Sequence, residues 1–242
     1  MSYTSSTMGA IVTIAVSVQL AAAGSISGTV KMEGKPPRAK TIDRSADAKC
    51  AELHAGDLLT ESWVVGESTD EASQVANVFV HVSGGLAAKD WPAPTAAVVL
   101  DQKGCRYEPH VFGIRVGQSL EIRNSDGTTH NVHSLAKNSK QFNNGQPSGA
   151  PALKKSFAAA EVMAKIKCDM HPWMSCYAGI LDHPFFAVTG ADGSYKIEGL
   201  PAGAYEVTAW HEKMRTRTQN VTVGDGDASA DFLYQKKKKK KK

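Results

Sequence analysis

Past its first two dozen residues, this 242-residue chain has no long stretch with apolar side chains at helical spacing, which argues against a helical architecture. No basic patch interleaved with aromatics occurs in the body of the chain, so nucleic-acid binding is not expected. No paired acid/base set and no nucleophile with a partner is legible, so an enzyme is not expected either. The apolar run at 8–23 (MGAIVTIAVSVQLAAA) is interrupted by Thr13, Ser17 and Gln19. It falls short of the ~20 apolar residues that span a bilayer. Its small-residue end, Ala21-Ala22-Ala23, instead has the form of a secretory cleavage site, although the preceding MSYTSSTM lacks Lys and Arg. We therefore expect a signal peptide at 1–23, no membrane span after its removal, and a periplasmic or secreted protein.

The formal charge of +4 rests on the terminal run Lys236 to Lys242; the remaining chain has 21 basic against 24 acidic residues. The body is thus mildly acidic. The tail at 236–242 reads as a solvated low-complexity end, since a run of like charges repels itself.

What is present is short runs rich in Val, Ile, Thr and Gly, separated by Gly, Pro, Asp and Asn. This is the pattern of an all-β protein. Strands are expected at 25–32, 63–65, 76–82, 97–100, 112–116, 119–123, 131–135, 154–157, 162–167, 177–181, 186–189, 194–197, 204–211 and 219–223. Within 76–82, alternation puts Val78, Val80 and Val82 on one face and Phe79 and His81 on the other, so His81 reads as packed or surface-facing, not as a ligand. Asp192-Gly193 offers tight-turn chemistry and predicts a hairpin over 188–197.

The segment Cys168-Asp-Met-His171-Pro-Trp-Met174 places a thiolate, an imidazole and a thioether on one short loop after a strand. Soft sulfur ligands beside imidazole suit copper, and a blue-copper centre needs two His, one Cys and a weak axial Met. The second His is expected from Asn124-Ser-Asp-Gly-Thr-Thr-His130-Asn131-Val-His133. His130 is the first choice and His133, on the opposite strand face, the second. Asn131 would act as a clamp on the backbone around the thiolate. Cys168 pairing with Cys176 would remove the thiolate; Cys176 otherwise reads as a buried thiol or an extra ligand. Cys50 and Cys105 have no metal-like neighbours and are the expected structural pair, although four cysteines allow three pairings. His54, His110, His183 and His211 read as ordinary packed or surface residues.

Cys-x-x-His-Pro-x-Met after a strand resembles the copper loop of the cupredoxins, of the short amicyanin type. The run from Arg123 to Val132 resembles the upstream His loop of plastocyanin and amicyanin, and 107–122 is similar to the strand pair that precedes it. The resemblance covers roughly 97–182. It implies a Greek-key sandwich with one copper bound by His130, Cys168, His171 and Met174, and electron transfer through an exposed edge of His171. A redox partner protein would dock transiently near His171, against Pro172 and Trp173, with Trp173 covering the site. The segments GSISGTVKMEGKPP, from Gly24, and VTGADGSYKIEGLPAGAYEV, from Val188, are similar to the two ends of a carboxypeptidase regulatory-like, transthyretin-like β-sandwich. That implies a discontinuous domain at 24–96 plus 183–235, with the cupredoxin part at 97–182 inserted in it; tandem domains are the alternative. Two further functions stay open: copper storage or delivery, and a structural or carbohydrate-binding module.

Overall fold

The computed structural model describes residues 23–235 except 46, 54, 55 and 225. The expected signal peptide, the Lys tail and His54 lie outside the described residues, apart from residue 23. The described chain is all-β with one helix of five residues.

The strands run β1 (Gly24–Glu33), β2 (Val65–Ser68), β3 (Ala72–Val75) and β4 (Phe79–Gly84) in the first part. The middle part carries β5 (Val98–Gln102), β6 (Tyr107–Glu108), β7 (Val111–Arg115), β8 (Leu120–Asn124), β9 (His130–Ser134), β10 (Asn143–Gln146), β11 (Leu153–Lys155), β12 (Glu161–Lys167) and β13 (Ser175–Leu181). The last part carries β14 (Phe186–Val188), β15 (Ser194–Leu200), β16 (Gly203–His211), β17 (Met214–Val223), β18 (Ala228–Ser229) and β19 (Phe232–Tyr234).

Strands of the first and last parts pair with one another. One sheet has the order β15-β1-β3-β2, with β18 and β19 parallel to β1, and the other has the order β14-β4-β16-β17. Between them lies a core that includes Ile26, Val30, Val80, Ile197 and Val207. The middle strands form two further sheets, β10-β9-β12-β13-β7 and β11-β8-β5-β6. The chain passes between these sheets five times, after β6, β7, β8, β10 and β11, the last passage returning it for the β12–β13 pair. Their core includes Leu100, Tyr107, Ile122, Phe157 and Ile180.

The alternation expected in β4 holds, but both of its faces are covered. Val78, Val80 and Val82 face the first core, whereas Phe79 packs with Val111 and Leu181 of the middle part. Rings close over glycines at this junction: a Cβ on Gly179 would collide with the Phe79 ring, and one on Gly113 with the Phe186 ring. Glycine is required there for close approach, not for its backbone freedom.

Two local expectations fail. The predicted hairpin over 188–197 is an arch: the turn closes with Gly193 at φ +73°, but β14 pairs with β4 while β15 pairs with β1 in the opposite sheet. A tight turn fixes the reversal, and burial on two different sheets decides the partners. The expected strand at 63–65 is instead a 3₁₀ turn, Glu61–Trp63, followed by β2. Finally, Cys50 packs in the middle part's core although it precedes β2 in the chain. The segment around it is a strap laid across one end of that core and bonded to it by the Cys50–Cys105 disulfide.

Candidate metal centre

β9 and β12 are neighbours in antiparallel register, with Lys167 opposite His133 and Ile166 opposite Ser134. That register brings Cys168, the residue after β12, beside the start of β9, where His130 stands. The loop 168–174 is closed by backbone bonds from Cys168 N–H to Met174 O (3.1 Å) and from Met174 N–H to His171 O (2.9 Å). It therefore turns Cys168, His171 and Met174 inward together, and each is no more than 3% exposed.

Three donor atoms converge. One nitrogen of His130, one of His171 and the Cys168 sulfur lie within 4.8 Å of one another, all buried. The two Nδ1 atoms are 2.9 Å apart, and His171 Nδ1 is 3.6 Å from Cys168 Sγ. Met174 is buried in the same core at the end of the loop. His130, Cys168 and His171 are thus brought to one place, and Met174 lies buried at the end of the loop that carries two of them.

His133 does not join them. It points outward to Asp169, with Nδ1 3.0 Å from Oδ2. Cys176 is a free, fully buried thiol in the core whose burial pushes its pKa well up, and no bridge joins it to Cys168. Cys50–Cys105 forms as expected.

Asn131 holds the loop. Its Oδ1 accepts from the N–H of Asp169 (2.7 Å), more weakly from Met170 N–H (3.4 Å), and from Cys168 Sγ (3.2 Å). Its Nδ2 donates to Asn143 Oδ1 (2.7 Å) and Asp169 Oδ2 (3.1 Å). Trp173 covers the site: its ring lies 5.1 Å from that of His171 and its N–H donates to Cys105 O at 3.0 Å.

The far side of each imidazole meets a carboxylate, for which no local pattern in the sequence gives a signal in the case of Asp47. His130 Nε2 is 2.9 Å from Asp126 Oδ2, and His171 Nε2 is 2.8 Å from Asp47 Oδ2. Asp126 also accepts from the N–H groups of Gly104 (2.7 Å) and Cys105 (2.8 Å). Burial pushes its pKa up, but these bonds and that from His130 outweigh it, and the net shift is downward. Burial pushes His130 down, yet its bonds to Asp126 and Cys168 carry it to about 9. Burial likewise raises Cys168, and the hydrogen bonds from the His130 ring, the Asn131 backbone and His171 bring it down to about 7. A metal would take these donors as free imidazole nitrogens and a thiolate, so its binding would release their protons.

Asp47 sits at the start of the five-residue helix Ala48–Glu52 and accepts from Cys50 N–H at 3.0 Å. That bond, and then the one from His171, lower its pKa to about 2. One expectation is corrected here. The His171 edge is not an exposed port: the ring is 3% exposed and its outer nitrogen is capped by the strap. The accessible residues of the loop are Asp169, Met170 and Pro172, with Met170 56% exposed.

The carboxypeptidase regulatory-like domain family matches residues 182–232, which bears out the likeness read from the segment after Val188. No curated protein matches the chain by sequence. Among solved structures, the Cu-containing nitrite reductase of Thermus scotoductus SA-01 is 17% identical over 40% of this chain and 25% of its own, with a TM-score of 0.32. The chain thus spans a quarter of that enzyme's length. A purple cupredoxin from Nitrosopumilus maritimus is 21% identical over 34% of this chain and 97% of its own, at a TM-score of 0.29. A reduced amicyanin variant is 20% identical over 42% and 97%, at 0.32. At such identities and scores these neighbours carry no functional argument, and the reading below rests on the residues of the site.

Proposed function

We propose that the chain binds one copper ion through His130 Nδ1, Cys168 Sγ, His171 Nδ1 and Met174, and that it serves as an exported electron carrier rather than an enzyme. The observation that carries this reading is the convergence of two imidazole nitrogens and one thiol sulfur within 4.8 Å, all three residues buried, with a buried Met closing the same loop. Two His, one Cys and a Met are the donor set of a blue-copper centre. Bound copper would supply a one-electron couple. The chain's residues would supply a fixed frame for it: Asn131 holds the loop backbone, Tyr107 Oη donates to Asn131 O at 2.6 Å, and Trp173 keeps water from His171.

We read 97–182 together with the Cys50 strap as the metal unit, and the remaining segments of 24–96 and 183–235 as the sandwich that carries it. A redox partner would dock at the loop carrying His171, on its accessible part at Met170 and Pro172. The Cys50–Cys105 disulfide supports an oxidising, periplasmic or secreted location. Burial of all four ligands favours a carrier that keeps its metal over a storage or delivery protein.

The test is spectroscopic. Adding Cu(II) to the metal-free protein should give an intense visible thiolate-to-copper band and a narrow parallel hyperfine splitting in EPR. Cys168→Ser should abolish the band and Cys176→Ser should leave it. A colourless titration ends the reading; colour with ready loss of copper to a mild chelator favours delivery.

A further inference from the structure

The strap does more than cover the site. Asp47 touches the outer nitrogen of His171, and both oxygens of its carboxylate are used: Oδ1 accepts from Cys50 N–H, and Oδ2 accepts from Thr128 Oγ1 (3.2 Å) and faces His171 Nε2 at 2.8 Å. An ionised carboxylate offers only acceptors. The nitrogen facing it must therefore carry the hydrogen, and in the neutral ring the other nitrogen, Nδ1, is left as a lone pair. That lone pair points at His130 Nδ1 and Cys168 Sγ. The disulfide from Cys50, three residues beyond Asp47, anchors the strap to the turn at Cys105, the same turn whose N–H groups hold Asp126 against His130. Both rings are thus turned by carboxylates set through one covalently pinned junction.

We propose that Asp47 is a positioning residue of the metal centre, fixing His171 in the Nε2–H tautomer so that Nδ1 is ready to bind metal. The inference rests on the metal reading above, but its central claim concerns the metal-free ring. Outer partners of this kind orient a ligand imidazole and raise its basicity, and their loss costs about 10–100-fold in metal affinity.

Two substitutions separate this role from mere anchoring of the strap. Asn is as good a helix N-cap as Asp, whereas Ala is poor. Asp47→Asn therefore keeps the bond from Cys50 N–H through its single oxygen and turns its NH₂ toward His171. Nε2 then becomes the acceptor, and the hydrogen moves to Nδ1, on the metal side. Asp47→Ala loses the cap but imposes no wrong tautomer. If Asp47 only anchors the strap, Ala must be the more damaging change; if it positions the ring, Asn must be.

The experiment uses the full chain. ¹⁵N NMR of the metal-free protein reads the His171 tautomer in wild type, Asp47→Asn and Asp47→Ala, and chelator competition gives the Cu(II) affinity of each. We expect Nε2–H in wild type, Nδ1–H in Asp47→Asn, and an affinity loss of roughly 10–100-fold in Asp47→Asn that exceeds the loss in Asp47→Ala. A wild-type ring protonated on Nδ1, or an Asp47→Asn protein that binds copper at least as well as Asp47→Ala, overturns the proposal. If wild type binds no copper, the metal reading fails and its relevance to metal falls with it, while the tautomer measurement still judges whether Asp47 sets the ring.

Discussion

Replacing Asn131 by Ala isolates the clamp on the loop. Asn131 is 7% exposed, and its amide makes five contacts between 2.7 and 3.4 Å. They differ in weight. The two groups that accept from Nδ2, on Asn143 and Asp169, belong to exposed residues, so water replaces that donor at little net cost. On the Oδ1 side, Asp169 N–H (2.7 Å), Met170 N–H (3.4 Å) and the Cys168 thiol (3.2 Å) are left without their acceptor. Orphaning a buried donor costs about 1–3 kcal/mol, so with the buried thiol and two part-buried N–H groups losing their acceptor we expect about 2–3 kcal/mol of destabilisation. Urea unfolding of the metal-free protein, followed by tryptophan fluorescence, reads this directly. With a slope of about 1–3 kcal/mol/M, the midpoint should fall by roughly 1 M and the slope should stay constant. A shift below about 0.2 M would mean that the loop is held by its own backbone bonds, and the clamp reasoning would be refuted.

Removing the Cys50–Cys105 disulfide as a double Ala variant releases a closed loop with a sequence separation of 55. Chain entropy alone then predicts a loss of about 4 kcal/mol, measured as a urea-midpoint difference under non-reducing conditions; a loss under about 1 kcal/mol would show that the strap adds no constraint. His211, packed at a tilt against Trp63, is pushed down to about 4 by burial, with His110 and Lys213 adding to the effect and Glu212 opposing it. Its protonation is disfavoured in the fold, so the associated stability is full above the ordinary His value of about 6.5 and is lost as pH falls toward 4, by on the order of 3 kcal/mol. Urea midpoints at successive pH values in that window should fall, and His211→Asn should flatten the fall; a midpoint independent of pH there would contradict it.

The fold class was legible because strand alternation and turn residues are local. β1, β4, β9, β12, β13 and β16 stand within a few residues of where the pattern placed them. The Cys168–Met174 loop was legible for the same reason: three donors within seven residues share one turn. Partner choice was not legible. Asp192-Gly193 correctly marked a reversal of the chain, yet its two strands entered opposite sheets, since only the packed core settles which edge each buries against.

The sequence by itself determined the all-β character, the Cys168, His171 and Met174 spacing, the expectation that His130 would complete the set, and the clamp at Asn131. The tertiary structure alone decided what lies on the outer side of the imidazoles. Asp126 is only four residues from His130 and could have been suspected from that proximity, but Asp47 is 124 residues from His171, and no local pattern links them. They meet because a disulfide and a buried Cys50 draw the strap across the end of the core. That contact turns a ring expected to face solvent into a buried one held by a carboxylate.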